Sequence, residues 1–381
     1  MSEPDSGQVF ARTAARGGTG KLRLGIIGCG AIAENAHLPA ALSSPNVDLT
    51  ALSDTSESRL LHIQRHFGLD TIGVVDYREV VPRVDAVILA LPNAVHASVG
   101  TEFLSRGIHV LCEKPLAISS LECKQMCEAA RAASAVLAVG LVTRFFPSTE
   151  LTKRLIESGF LGRLESFDYE FGTAGGWETQ SGYNLVRSAS GGGVLVVSGS
   201  HFVDRMIYLF GDVKLVSYRD DNYGGVEANC VAQFEGTVHG STVKGQVTLS
   251  KTHRLSNRLR IVGAQGTLEI LEGQTRSVTH IPILGGLTHD ISNLEMGTGK
   301  AEPDYFAVQL EDFVRAIQTG TCPRVDGWQG SKSVAIIERC YETAKPLEEP
   351  WCTKTLGPLE AAIRNQVEAA RSPHLAVHGE K

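Results

Sequence analysis

The chain of 381 residues is 43% hydrophobic, 20% charged and 6% aromatic, enough apolar side chain for two packed domains and too much for an overall disordered state. Thirty-six Lys and Arg against 42 Asp and Glu give a formal net charge of -6 with no basic block, which argues against nucleic acid as a partner. No apolar run approaches the ~20 residues that span a bilayer, and eight Cys at irregular spacings without a Cys-x-x-Cys pair fit the scattered thiols of a reducing, cytoplasmic protein.

Residues 1–20 carry charges and glycines but no apolar core of a secretory signal, and are expected to be a disordered arm. From Lys21 onward, short apolar runs alternate with longer amphipathic stretches, the pattern of βαβ units and a parallel sheet. The predicted strands are 22–27, 48–53, 73–75, 86–91, 109–112 and 136–141, each nearly continuous in apolar residues, as strands buried on both faces are. Ser119 followed by Glu122 predicts a capping box at the start of one of the intervening helices. Beyond about residue 145 come a helix (149–158) and Gly-rich polar–apolar alternation over 164–283, read as a mostly antiparallel sheet; helices follow at 305–318 and 329–344. The expected fold is therefore α/β: a Rossmann-type doubly wound parallel sheet over 21–145, then an α+β domain on an open, mostly antiparallel sheet over 146–350. Residues 351–381 form a C-terminal extension with a possible helix at 359–370.

Directly after the first predicted strand stands Gly28-x-Gly30-x-x-Ala33, the dinucleotide fingerprint with its permitted final Ala. Gly28 allows the tight turn, Gly30 lets a pyrophosphate approach the backbone, and Ala33 lets the helix lie close on the strand, with phosphate at the positive helix N-terminus. Asp54, at the end of the second strand, suits the ribose hydroxyls, and its charge repels a 2′-phosphate, so NAD is expected over NADP. The 26 residues from Gly28 to Asp54 exceed the usual ~20. Arg59 lies near enough in sequence to pair with a phosphate, and Asp54 alternatively reads as a helix N-cap. No metal site is expected: Cys123 and Cys127, like His62 and His66, share a helical face but lack further ligands.

Two further clusters are Cys112-Glu113-Lys114-Pro115, ending the fifth strand, and Gly191-Gly192-Gly193 followed by Ser198-Gly199-Ser200-His201-Phe202-Val203-Asp204. With the Rossmann turn, Leu91-Pro92-Asn93-x-x-His96 and Phe313-x-x-Ala316-Ile317-x-x-Gly320, they make residues 22–344 resemble the Gfo/Idh/MocA family of glucose-fructose oxidoreductase, inositol dehydrogenase and rhizopine catabolism protein. The resemblance implies a sugar or cyclitol bound between the two domains, and a free sheet face used for a homodimer or homotetramer. It implies a cofactor set of Gly28, Gly30, Ala31, Ile32, Asp54, Leu91, Pro92, Asn93, His96, Glu113 and Lys114. Lys114 would hydrogen-bond the reacting oxygen while His201 takes or gives the proton. Candidate substrate contacts are Lys114, Arg144, Trp177, Tyr183, Arg187 and His201, which offer donors and aromatic faces to a polyhydroxylated ring; Asp204 would instead brace its helix.

The chain departs from the family pattern at one place. Where the family commonly has Asp-x-Gly-x-His, Val197 replaces the Asp and removes a carboxylate that would tune the His or contact substrate. The expected activity is NAD(H)-dependent transfer of hydride to or from a secondary alcohol or ketone of a sugar, sugar derivative or cyclitol. The alternative, which the altered set would suit, is a non-redox lyase, hydratase or glycosidase that keeps NAD bound and recycles it.

Overall fold

Runs such as Leu-Arg-Leu-Gly-Ile-Ile and Ala-Val-Ile-Leu leave almost no polar face for water, and in the computed structural model both are central strands of a buried sheet. The structure describes residues 20–175, 181–283, 285–292 and 304–347; Trp177, nearly all of the expected N-terminal arm and the C-terminal extension lie outside the described residues. The first sheet contains β1 (Leu22–Ile27), β2 (Val47–Ser53), β3 (Ile72–Val74), β4 (Ala86–Leu89), β5 (His109–Cys112) and β6 (Leu137–Val139). All pair in parallel, in the order β3-β2-β1-β4-β5-β6. The order reverses between β1 and β4, so a crevice opens at their carboxyl ends. Helices α1 (Leu38–Ser43, running on from a π-helical turn at Ala33–His37), α2 (Glu57–Phe67), α3 (His96–Ser105) and α4 (Ser120–Ala132) connect the strands. The capping box of α4 forms with a shift: Ser119 Oγ accepts from Glu122 N at 3.3 Å, but the Glu122 carboxylate accepts the N–H of Ile118, one residue earlier, at 3.2 Å.

The chain then forms α5 (Pro147–Glu157), β7 (Leu164–Gly172), α6 (Arg187–Ser190), α7 (Val194–Val197) and α8 (Gly199–Phe210). It continues through β8 (Lys214–Asp220), β9 (Asn229–Val238), β10 (Ser241–Ser250), β11 (Arg258–Gly263), β12 (Gly266–Leu271), β13 (Ser277–Pro282) and β14 (His289–Ser292). It closes with α9 (Tyr305–Thr319), α10 (Gly327–Glu342) and β15 (Lys345–Pro346). Among the described residues these nine strands make one sheet, β14-β13-β12-β11-β7-β10-β9-β8-β15, antiparallel except for β7–β10 and β8–β15. The strand texture expected throughout 164–283 is interrupted by α6, α7 and α8. Phe202, Val203, Met206, Ile207, Leu209 and Phe210 recur at helical spacing, and α8 buries them against the sheet, Phe210 stacking on Phe167 at 4.5 Å.

The two C-terminal helices do not stay with the second sheet. Leu310, Phe313, Val314 and Ile317 of α9 share a core with Leu24 of β1 and Leu38 and Ala41 of α1. α10 contributes Val334 to a core of the first sheet and Ile337 and Cys340 to that of the second. α9 therefore covers the first sheet, and α10 ties the two layers together.

Candidate active site

At the crevice, Gly28 holds φ +92°, and a Cβ there would lie 2.3 Å from the Ala90 carbonyl oxygen, so the turn requires glycine. Gly30 differs: a Cβ on it would meet no protein atom within 4 Å. The chain itself has no use for that space, and a pyrophosphate approaching the helix N-terminus does, so the residues present fit a dinucleotide. Asp54 is half-buried beside the turn, its Oδ2 accepting from Cys29 N at 2.8 Å and its Oδ1 from Ser56 N at 2.9 Å. Arg59 reaches the same place but donates to the Cys29 carbonyl and to the Glu34 carboxylate. Arg59 and His62 together hold Glu34 down at about pKa 2.

Lys114 follows β5 at the carboxyl edge of the sheet, and its peptide bond to Pro115 is cis. Its Nζ donates to the carbonyl oxygen of Val197, in the last turn of α7, at 2.6 Å. Position 197 thus orients the lysine by its backbone, although it carries no carboxylate. Burial lowers the Lys114 pKa; Glu113 opposes that and Lys251 reinforces it. His201 lies on the first turn of α8. Burial and then the charge of Lys114 push its pKa down to about 3, and its Nδ1 is enclosed without a hydrogen-bond partner. The ring is therefore neutral near pH 7 and a weak base.

Glu113 is buried beside Lys114. Its Oε1 meets His37 Nε2 at 2.8 Å, its Oε2 accepts from Lys114 N at 3.1 Å, and Gly140 leaves it room, since a Cβ there would come within 3.0 Å of its carboxyl group. Burial alone would raise its pKa, but His37, Lys114 and His201 hold the carboxylate below its usual range.

The glycine triplet has a packing cause. Gly193 N and Leu195 N donate to the two carboxylate oxygens of buried Glu227, both at 2.9 Å, and Tyr341 Oη donates to Glu227 at 2.8 Å. A Cβ at Gly193 would lie 1.9 Å from the Glu227 carbonyl oxygen, and one at Gly192 would lie 2.0 Å from Tyr341 Oη. Because the obstacle at Gly193 is backbone, Gly193→Ala is expected to cost about 3 kcal/mol, measured by urea denaturation; a loss below about 0.5 kcal/mol would contradict the packing.

Several of the expected contact residues are engaged within the protein. Arg144 donates through Nε and Nη2 to Asp204 at 2.8 and 2.7 Å and through Nη1 to Gln329 at 3.2 Å, and it lies 4.4 Å over the Tyr208 ring. Asp204 accordingly has the bracing role expected of it. His96 is fully buried with Nδ1 facing the Pro115 carbonyl at 2.8 Å and Nε2 the Leu91 carbonyl at 2.9 Å, so neither nitrogen is left for a cofactor; it joins the two cleft loops. Asn93 uses its Nδ2 to reach Ser190 O at 2.7 Å, tying the crevice loop to α6. Arg187 stacks on Tyr341 at 4.8 Å. Tyr183 is half-buried near Glu113; burial, and then that charge, raise its pKa. Leu91, Pro92, Ala31 and Ile32 are partly exposed at the crevice. His37, Glu227, Tyr341 and Lys251 were not anticipated. Of these only His37 carried a signal, a histidine one turn beyond the fingerprint; the others reach the site from distant sequence.

Residues 22–141 match the oxidoreductase family model for the NAD-binding Rossmann fold of Gfo/Idh/MocA proteins, and residues 153–348 match its C-terminal alpha/beta domain. The dTDP-3,4-didehydro-2,6-dideoxy-alpha-D-glucose 3-reductase of Streptomyces violaceoruber is 26% identical over 266 residues, 69% of this chain and 76% of that protein. A 3-ketoreductase from Actinomadura kijaniata, solved with NADP and TDP-benzene, superposes with a TM-score of 0.75 at 23% identity, covering 87% of this chain and all of that one. Levoglucosan dehydrogenase solved with NADH gives a TM-score of 0.74 at 20% identity over 85% of this chain and 98% of that one.

Proposed function

The chain belongs to the Gfo/Idh/MocA oxidoreductase family, NAD(P)-dependent dehydrogenases and reductases acting on CH–OH groups, and from that premise we propose that it interconverts a secondary alcohol and a ketone on a sugar, sugar derivative or cyclitol, with NAD(H) as the preferred cofactor. The observation that carries this is the Lys114 ammonium, partly desolvated at the sheet's carboxyl edge and aimed by the Val197 carbonyl. When bound, the nicotinamide supplies a hydride acceptor or donor at C4. Lys114 hydrogen-bonds the reacting oxygen, taking its proton in oxidation and returning it in reduction. Neutral His201 orients that oxygen, Tyr183 lines the same cleft, and Glu113 with His37 anchors the lysine from below. Gly28, Gly30, Ala31 and Ile32 would hold the pyrophosphate, and Leu91 and Pro92 would line the crevice on the nicotinamide side.

The preference for NAD rests on Asp54 and on Glu34, which already engages Arg59, a cation beside the turn. Two like charges a few ångströms apart cost about 1 kcal/mol even in bulk water. Asp54→Ala is therefore expected to lower the NAD:NADP ratio of kcat/KM roughly tenfold, and an unchanged ratio would contradict the assignment.

The whole proposal is tested by absorbance at 340 nm with NAD or NADP and a panel of sugars, sugar acids and cyclitols, including keto forms with reduced cofactor. A sustained change supports it. No change, with the sugar nonetheless altered by mass spectrometry, supports instead the non-redox reading with recycled cofactor that Val197 invites.

A further inference from the structure

Among the described residues a second cation beside the cleft, Lys251, makes no ion pair. Lys251 follows the last residue of β10, and strand alternation puts it on the face of Leu249, which packs against the start of α8: a Cβ on Gly199 would come within 2.9 Å of Leu249 Cδ1. That face also borders α7, whose Val197 carbonyl receives Lys114, and the turn of α8 that bears His201. The backbone of Lys251 is fixed on both sides, its N–H donating to Ala228 O at 2.8 Å and its carbonyl accepting from Gly175 N at 2.9 Å. The side chain is half-buried, and among the described residues its Nζ has neither a hydrogen bond nor an ion pair.

The acidic groups nearest the cleft are already engaged. Glu227 gives its oxygens to Gly193 N, Leu195 N and Tyr341 Oη. Glu113 is taken up by His37 and the Lys114 amide. Burial lowers the Lys251 pKa, with Glu227 opposing, and the charge of Lys251 adds to the lowering at Lys114. Two partly desolvated cations in mutual reach, one for a reacting hydroxyl and one unengaged, are stabilised by an anion between them.

Resting on the dehydrogenase reading above, we propose that the natural substrate is an acidic sugar or cyclitol, whose carboxylate or phosphate is bound by Lys251 while a hydroxyl elsewhere on the same molecule is presented to Lys114. A neutral sugar would leave Lys251 without a partner.

The test uses the full-length protein and matched substrates differing only in the acid group, namely a neutral hexose, its uronate and its phosphate ester. Affinity is measured by isothermal titration in the presence of cofactor, and KM and kcat by absorbance at 340 nm. The wild type is expected to prefer one acid over the neutral sugar, the preferred arm identifying carboxylate or phosphate. Lys251→Met should raise the KM and Kd for that acid roughly 10- to 100-fold, with a smaller change in kcat, and Lys251→Arg should restore most of the affinity. Equal affinity for acid and neutral sugars, or a preference that persists in Lys251→Met, would overturn the acid subsite while leaving the dehydrogenase standing. Lys251-dependent binding of an acid that is never oxidised or reduced would support the subsite and count against the dehydrogenase.

Discussion

Lys114→Ala is expected to lower kcat by roughly 10²- to 10⁴-fold, while the dissociation constant for the cofactor changes by less than about tenfold, a ceiling of ~1.4 kcal/mol. The asymmetry follows from where the ammonium points: its Nζ lies on the Val197 carbonyl in the cleft, whereas the dinucleotide turn follows β1, two strands over from β5. The pH dependence gives a second signature. The lysine pKa is lowered by burial, so oxidation, which needs the neutral amine to accept a proton, should rise with pH through a value below the ordinary lysine range. Reduction, which needs the ammonium, should fall through the same value. Both limbs should vanish in Lys114→Ala. Equal losses in turnover and cofactor affinity would make Lys114 a binding residue only.

The second large effect is structural. Asp204 is fully buried and bidentate to Arg144, a pair that joins the helical turn after β6 to the middle of α8 and so links the two layers. Burial raises the Asp204 pKa and the Arg144 guanidinium opposes that rise, so the carboxylate depends on its partner. Asp204→Ala strands the guanidinium and is expected to destabilise the protein by ~3–5 kcal/mol, measured by chemical denaturation. The double replacement Arg144→Met with Asp204→Leu should cost less than either single change, because no uncompensated charge remains buried. A single-variant loss below about 1 kcal/mol would show that the pair does not hold the layers together.

The parts legible in the sequence were those written in local pattern. Six apolar runs announced six parallel strands because a strand covered on both faces has no polar alternation to confuse it. Gly28 and Gly30 announced the crevice because one glycine is required by backbone geometry and the other leaves open space. Helix α8 was hidden within a stretch read as sheet, since its buried face emerges only once the sheet beneath it exists. Arg144, His96 and Asn93 were expected to meet ligands on the strength of residue type and neighbourhood. Each has its polar groups engaged by partners 5 to 185 residues away, most of them too distant for sequence spacing to reveal. Glu227 illustrates the same limit: it explains the glycine triplet from 34 residues downstream of Gly193. Val197 is the opposite case, where the substitution was visible but not the contact its backbone makes, a carbonyl that accepts from Lys114 Nζ.

The central claim is net hydride exchange between a nicotinamide and a carbinol carbon at the Lys114 cleft. It is tested most directly by turnover with NADH deuterated at the nicotinamide C4 and mass spectrometry of the sugar product. The account predicts one deuterium on the newly formed carbinol carbon for each NADH consumed. A sugar that is transformed without acquiring deuterium and without consuming NADH would contradict it.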